Sequence, residues 1–319
     1  MHLVGIHHVG IKVGTSQNWH LWASYFLQFN RQAVHHTTEQ GLTNHLASTL
    51  LVNPYGGGGI GIVGMPNTSV NSPTALWKGW TGIQLAGFNP TLIQGILKAD
   101  HIPSYVSTHG SGKNCITAED ALGISWQFLE TPIRYKQRNL ANGGVIGVQL
   151  KTNQPQETAA WWKGLLENVQ VNDIQPTDAT NNHWLLTHEP TKTPMQSVWQ
   201  PCQIEIIQPT EKATLVKQER LPYVAFEVSD VKKLHQLLAA DKHTDKALQQ
   251  WQTEEGMEVD YFFTQDPAGN AVAFCQTRQI PLLPKKRWLL ALAKRNKPLR
   301  QWHKNLLYAS LQKLIPAAR

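Results

Sequence analysis

Two stretches of this chain, 137 positions apart, carry one pattern, and that repetition limits the available folds more than any other feature. HVGIKVGTSQNWHLWASYF at 8–26 and VIGVQLKTNQPQETAAWWK at 145–163 align with Val9 on Ile146, Gly10 on Gly147, Ile11 on Val148, Val13 on Leu150 and Tyr25 on Trp162. Each reads as a strand, a polar turn and an amphipathic helix: apolar residues alternate in the first part and recur every three or four positions in the second, as at Trp19, Trp22 and Phe26. WTGIQL at 80–85, followed by a helical stretch through Leu92, Ile96 and Leu97, repeats the form. So does YVAFEV at 223–228, followed by VKKLHQLLAA. Each of these four starts continues through shorter strand-like runs and closes on one more strand, at 58–64, 124–130, 203–208 and 271–276. Units of roughly 60–70 residues cannot bury a sheet alone, so they are expected to pair.

The closing strand of the last unit follows Asp266-Pro267-Ala268-Gly269-Asn270, a tight-hairpin sequence in which Pro fixes φ, Gly supplies a positive φ and Asp and Asn bond the local backbone. Alternation then sends Val272 and Phe274 to a core and Ala271, Ala273 and Cys275 to the opposite face. The other strands divide in the same way. His8, Gly10 and Lys12 share a face, as do Trp80, Gly82 and Gln84, or Tyr223, Ala225 and Glu227, while Gln203 and Glu205 oppose Ile204 and Ile206. Glycine or alanine at 10, 61, 82, 147, 225 and 273 leaves volume on those faces, and a few polar or aromatic groups project into it. That is the make-up of a small-molecule pocket, although the same small residues would also let two sheets approach closely.

HHVGI at 7–11, the helix aromatics that follow, DPAGN at 266–270 and a weakened copy, EDALG, at 119–123 resemble the vicinal oxygen chelate superfamily of glyoxalases, bleomycin-resistance proteins and extradiol dioxygenases. The resemblance covers most of residues 3–277. It implies an α+β chain of four βαβββ modules paired into two curved mixed-sheet halves: a first paired-module domain at 1–135 and a second at 140–278, separated by the linker-like stretch TPIRYKQRNLANGG. It also implies a divalent metal held by side chains from the first and last strands of paired modules. Carried over, those positions are His8, Gly61, Trp80 and Gln127 in the first pair and Val145, Glu205, Tyr223 and Ala273 in the second. A catalytic site needs about three protein ligands and an open position. His8 and Gln127 supply two candidate metal ligands in one half, and Glu205 stands alone in the other.

The expected protein therefore binds a small, partly apolar organic molecule through His8, Trp80, Gln127, Tyr223 and Ala273, with its metal site degenerate or absent and no cofactor. Glu205 reads as a candidate catalytic base, a pocket carboxylate or a solvated edge residue. His8 reads as a metal ligand or as a hydrogen-bonded structural residue. The alternative is a lyase, isomerase or dioxygenase-like enzyme that uses His8 and one divalent ion such as Fe, Zn, Mn or Ni. Two histidines and a glutamate in the second half, which an extradiol dioxygenase requires, are replaced by Val145, Tyr223 and Ala273. GSGKN at 110–114 lacks the P-loop's first glycine and its Ser or Thr, and the histidines at 35, 36, 45, 183 and 188 have no ligand spacing.

Charge separates the end of the chain from its body. The net charge is +7, yet residues 285–319 alone hold ten Lys or Arg and no Asp or Glu, which leaves 1–284 mildly acidic. Leu299, Trp302, Leu306, Ser310 and Leu314 form one stripe of a basic amphipathic helix, and 282–319 reads as a helical tail. It would dock on the acidic body, across a homodimer, or on an anionic membrane surface; nucleic acid is the weakest partner class. The three widely spaced cysteines and the absence of a basic, apolar leader place the expected protein in the cytoplasm, with peripheral membrane contact through the tail as the variant.

Overall fold

The computed structural model describes residues 1–13, 29–36, 47–52, 58–63, 77–109, 112–120, 123–131, 142–174, 183–188, 202–209, 216–217, 220–245, 247–253 and 258–278. The helix expected after the first strand and the basic tail at 282–319 lie outside them. The first unit supplies β1 (Leu3–Lys12), β2 (Asn30–His36), β3 (Ala47–Val52) and β4 (Gly59–Val63). The second supplies β5 (Trp77–Gly87), α1 (Pro90–Ala99), β6 (Ser104–Thr108), β7 (Asn114–Glu119) and β8 (Ser125–Glu130). The third runs through β9 (Asn142–Lys151), α2 (Pro155–Leu165), β10 (Val169–Ile174), β11 (His183–His188) and β12 (Gln203–Ile207). After the short β13 (Val216–Lys217), the fourth comprises β14 (Val224–Val228), α3 (Val231–Leu238), β15 (Gln249–Thr253), β16 (Glu258–Gln265) and β17 (Ala271–Arg278).

Two curled mixed sheets result, as expected, but the partners are exchanged. β1 pairs antiparallel with β14, and the first and fourth units close a barrel in the order β1-β14-β17-β16-β15-β2-β3-β4. β5 pairs antiparallel with β9, and the second and third units form a sheet in the order β10-β11-β12-β9-β5-β8-β7-β6. Pairing of consecutive units rests on short loop closure, yet each doubling of a loop costs only about 0.6 kcal/mol, too little to forbid a nested arrangement. Residues 1–278 form one compact unit.

Local chemistry accounts for the elements that frame the sheets. Asn89 caps α1 by accepting from the Leu92 amide at 3.1 Å, Pro90 opens the helix, and Ile93 and Leu97 are its buried stripe. Asp230 caps α3 through the Lys233 amide at 3.0 Å, with Val231 and Leu234 inward. The final hairpin forms as its sequence predicts: the Asp266 carboxylate accepts from the Asn270 amide at 2.8 Å and from the Asn270 side chain at 2.8 and 3.0 Å, and Gly269 takes φ +79°. Val272 and Phe274 are fully buried in a core shared by both sheets, where Trp162 of α2 meets the rings of Phe226 and Phe274 at 4.8 and 5.8 Å. Among the described residues no helix is long and apolar enough to cross a membrane.

Candidate functional site

Three bulges decide which side chains face inward, because one extra residue in a strand inverts the alternation beyond it. Thr81 is the extra residue of β5 against β9, where Trp80 pairs with Leu150 and Gly82 with Gln149. Trp80 consequently joins Ile83 and Leu85 in the core and donates its indole N–H to the Ala271 carbonyl at 3.0 Å, instead of sharing a face with Gly82 and Gln84. Ile146 plays the same part in β9 and turns Val145 into the core beside Val148 and Leu150. In β1 the extra residue is His7, between Ile6 opposite Phe226 and His8 opposite Ala225, and the two imidazoles meet Nδ1 to Nδ1 at 2.8 Å.

In the sheet of the second and third units, the inward positions of the first and last strands are therefore Gln84, Gln127, Gln149 and Glu205. Gln84 is level with Gln127 across β5 and β8, and Gln149 with Glu205 across β9 and β12. Their side chains converge. Glu205 Oε2 accepts from Gln149 Nε2 at 2.7 Å and from Gln84 Nε2 at 2.9 Å, and His109 Nε2 lies 3.4 Å from the same oxygen. Gln84 Nε2 also donates to Gln127 Oε1 at 3.0 Å, while Gln84 Oε1 accepts from Gln203 Nε2 at 2.7 Å. His109 Nε2 is also 3.1 Å from Gln84 Nε2, whose two hydrogens are already committed to the oxygens of Glu205 and Gln127. In the tautomer that carries its proton on Nε2, the imidazole would turn that proton toward the carboxylate.

The cluster is buried, with Gln84 at 0% and Glu205 at 4% exposure, and Gln127 is its half-buried member. Glycine makes the packing possible. A Cβ on Gly82 would stand 2.2 Å from Gln149 Oε1, and one on Gly147 would stand 2.1 Å from Gln84 Oε1. The volume expected in front of these glycines holds carboxamides. Beyond them Ala86, Phe88, Cys115, Leu129 and Ile146 form an apolar group. Burial pushes the Cys115 thiol up, and the charge on Glu205 adds to that push while the Thr117 hydroxyl opposes it.

The barrel brings together His8, Gly61, Tyr223 and Ala273. His8 Nε2 is 3.0 Å from the Tyr223 hydroxyl, and the Tyr223 ring lies over Gly10, edge-on to Phe263 at 5.0 Å, with Ala225 and Ala273 in the same cluster. Gly61 is level with Gly10 on β4. Burial lowers His7 to about 4, so it is neutral near pH 7, and a single proton is shared between the two Nδ1 atoms. His8 and Gln127, expected as one ligand pair, belong to different sheets.

No family model matches the chain, and no curated protein matches it. Solved structures do. A candidate dioxygenase from Bacillus subtilis superposes with a TM-score of 0.60 at 11% identity, covering 86% of each chain. Glyoxalase I from Zea mays superposes with a TM-score of 0.58 at 11% identity, covering 85% of this chain and 92% of that one. This chain has the vicinal oxygen chelate fold.

Neither set of side chains fits the divalent ion that the vicinal oxygen chelate resemblance implies. In the barrel both His8 nitrogens are engaged, by His7 and Tyr223, and Gly61 and Ala273 offer no donor atom. In the other sheet the amide N–H groups of Gln84 and Gln149 turn toward Glu205, and Gln203 takes the Gln84 oxygen, so lone pairs do not converge. Among the described residues no group of three or more His, Cys, Asp or Glu side chains is placed to hold a metal. His7, His109 and Gln149 were not singled out from sequence. Only Gln149 carried a signal there, two positions from Gly147 on an inward face.

Proposed function

We propose that this protein of the vicinal oxygen chelate fold binds a small, partly apolar organic molecule at the concave face holding Gln84, Gln127, Gln149, Gln203, Glu205 and His109, and does so without a metal ion. The observation that carries this reading is the convergence of two carboxamides and an imidazole on one buried carboxylate oxygen, at the four strand positions the fold brings face to face. A carboxylate ringed by hydrogen-bond donors, with Cys115 of the apolar group near enough to feel its charge, supports recognition of a molecule with a polar, hydrogen-bonding head and an apolar remainder. Gln127, half-exposed, is the member that would yield first to an incoming group.

Native mass spectrometry of the full chain as purified tests the reading. The expected result is a small organic adduct whose occupancy falls in Glu205→Gln, with the metal content of both forms substoichiometric. An adduct unchanged by Glu205→Gln, or a stoichiometric divalent ion lost in His8→Ala, overturns it in favour of the metal-dependent alternative.

A further inference from the structure

A second feature lies apart from the carboxamide cluster and shares no residue with it. Between the start of β5, the end of β9, the approach to α2 and the last hairpin is a cleft of about 270 Å³ lined by Gly79, Lys151, Thr152, Asn153, Gln154, Ala268 and Asn270. Gly79 opens it by having no side chain, at φ +94°. Lys151 is the one cation among the described residues of the lining, and it is half-buried. Among the described residues no carboxylate, carbonyl or hydroxyl partners its ammonium. Thr152 Oγ1 accepts from the Gln154 amide at 3.0 Å, and Asn270 donates to Asp266 behind the lining.

A desolvated lysine without an anion beside it is more often neutral than one in water, and a neutral amine is a nucleophile. Burial lowers the pKa of Lys151, and among the described residues no neighbouring charge restores it.

We propose that Lys151 is a carbonyl-reactive amine and that the cleft before it receives small aldehydes or ketones. The Nζ lone pair adds to the carbonyl carbon as the C=O π electrons move to oxygen. A proton passes from nitrogen to that oxygen and gives a carbinolamine. Loss of its hydroxyl with the second amine proton, as water, leaves a C=N bond. Amine and carbonyl become imine and water, with no oxidant or reductant consumed. The Thr152 hydroxyl hydrogen and the Asn153 side-chain carboxamide, both in the lining, are the donors at hand for a carbonyl or carbinolamine oxygen.

The test treats the full chain with limiting glycolaldehyde and cyanoborohydride, which reduces an imine to a stable amine, and maps the label by peptide mass spectrometry. Lys151 is expected to take the first equivalent, several-fold faster than exposed lysines such as Lys98, with the midpoint of its rate against pH lying below theirs. Lys151→Arg and Lys151→Met, each verified as folded by circular dichroism, should lose that first equivalent. Label spread over the exposed lysines with Lys151 no faster than Lys98, or a first equivalent retained in both variants, overturns the proposal.

Discussion

Replacing Gln84 with leucine probes the carboxamide cluster at its centre while nearly conserving volume. The wild-type side chain is fully buried; it donates to Glu205 and Gln127 and accepts from Gln203. Leucine would fill the space and satisfy none of them. Gln127 is half-buried and can turn to water, so its loss is small. Gln203 Nε2 would lose its acceptor inside the protein, and the Glu205 carboxylate would lose one of its donors. Stranding Gln203 costs about 1–3 kcal/mol and losing one hydrogen bond to a charged group costs about 1.5–3 kcal/mol, together about 2–6 kcal/mol, a large part of the roughly 5–15 kcal/mol that holds a native protein together. Urea unfolding at pH 7 should show the midpoint falling with an unchanged slope. Gln203→Leu should be less than additive with Gln84→Leu, because each removes the other's partner, and the coupling in a double-mutant cycle should exceed about 0.5 kcal/mol. A loss under about 1 kcal/mol for Gln84→Leu, or strict additivity, would refute the network.

Gly10→Ala places a Cβ 2.6 Å from the Tyr223 ring and must shift it away from His8; a loss of about 1–3 kcal/mol by chemical denaturation is expected, as for other overpacked cores. The pH dependence of stability should carry the mark of His7. Its pKa falls from 6.5 to about 4 on folding, so the unfolded chain binds the extra proton first; the contribution is complete above pH 6.5, declines as pH falls, and is fully lost below about 4. It amounts to about 3 kcal/mol, and His7→Gln should flatten the curve of urea midpoint against pH across that window.

The repeats were legible because alternation and helical spacing are local properties. The four starts at 8, 80, 145 and 223 follow from them, as do the Asp266–Asn270 turn and the burial of Val272 and Phe274. Inward direction was legible only as far as the strands stay regular. Thr81 and Ile146 look like ordinary strand residues, yet each is a bulge, and the bulges exchange Trp80 for Gln84 and Val145 for Gln149. His109 was hidden for another reason: it reaches Glu205 from the end of an edge strand, and no spacing along the chain marks that approach. The exchange of partners between units had no local signature, since β1 reads the same whether it meets β5 or β14.

That exchange sets an order on biosynthesis. The sheet of the second and third units has all its strands, β13 beside β5 included, once residue 217 has left the ribosome, whereas the barrel is not closed until β17 is made. Through that interval β1 has β4 on one flank and nothing to zip against on the other, so a nascent chain stalled before residue 223 would present a long apolar ribbon to chaperones, and release of that ribbon waits on β14.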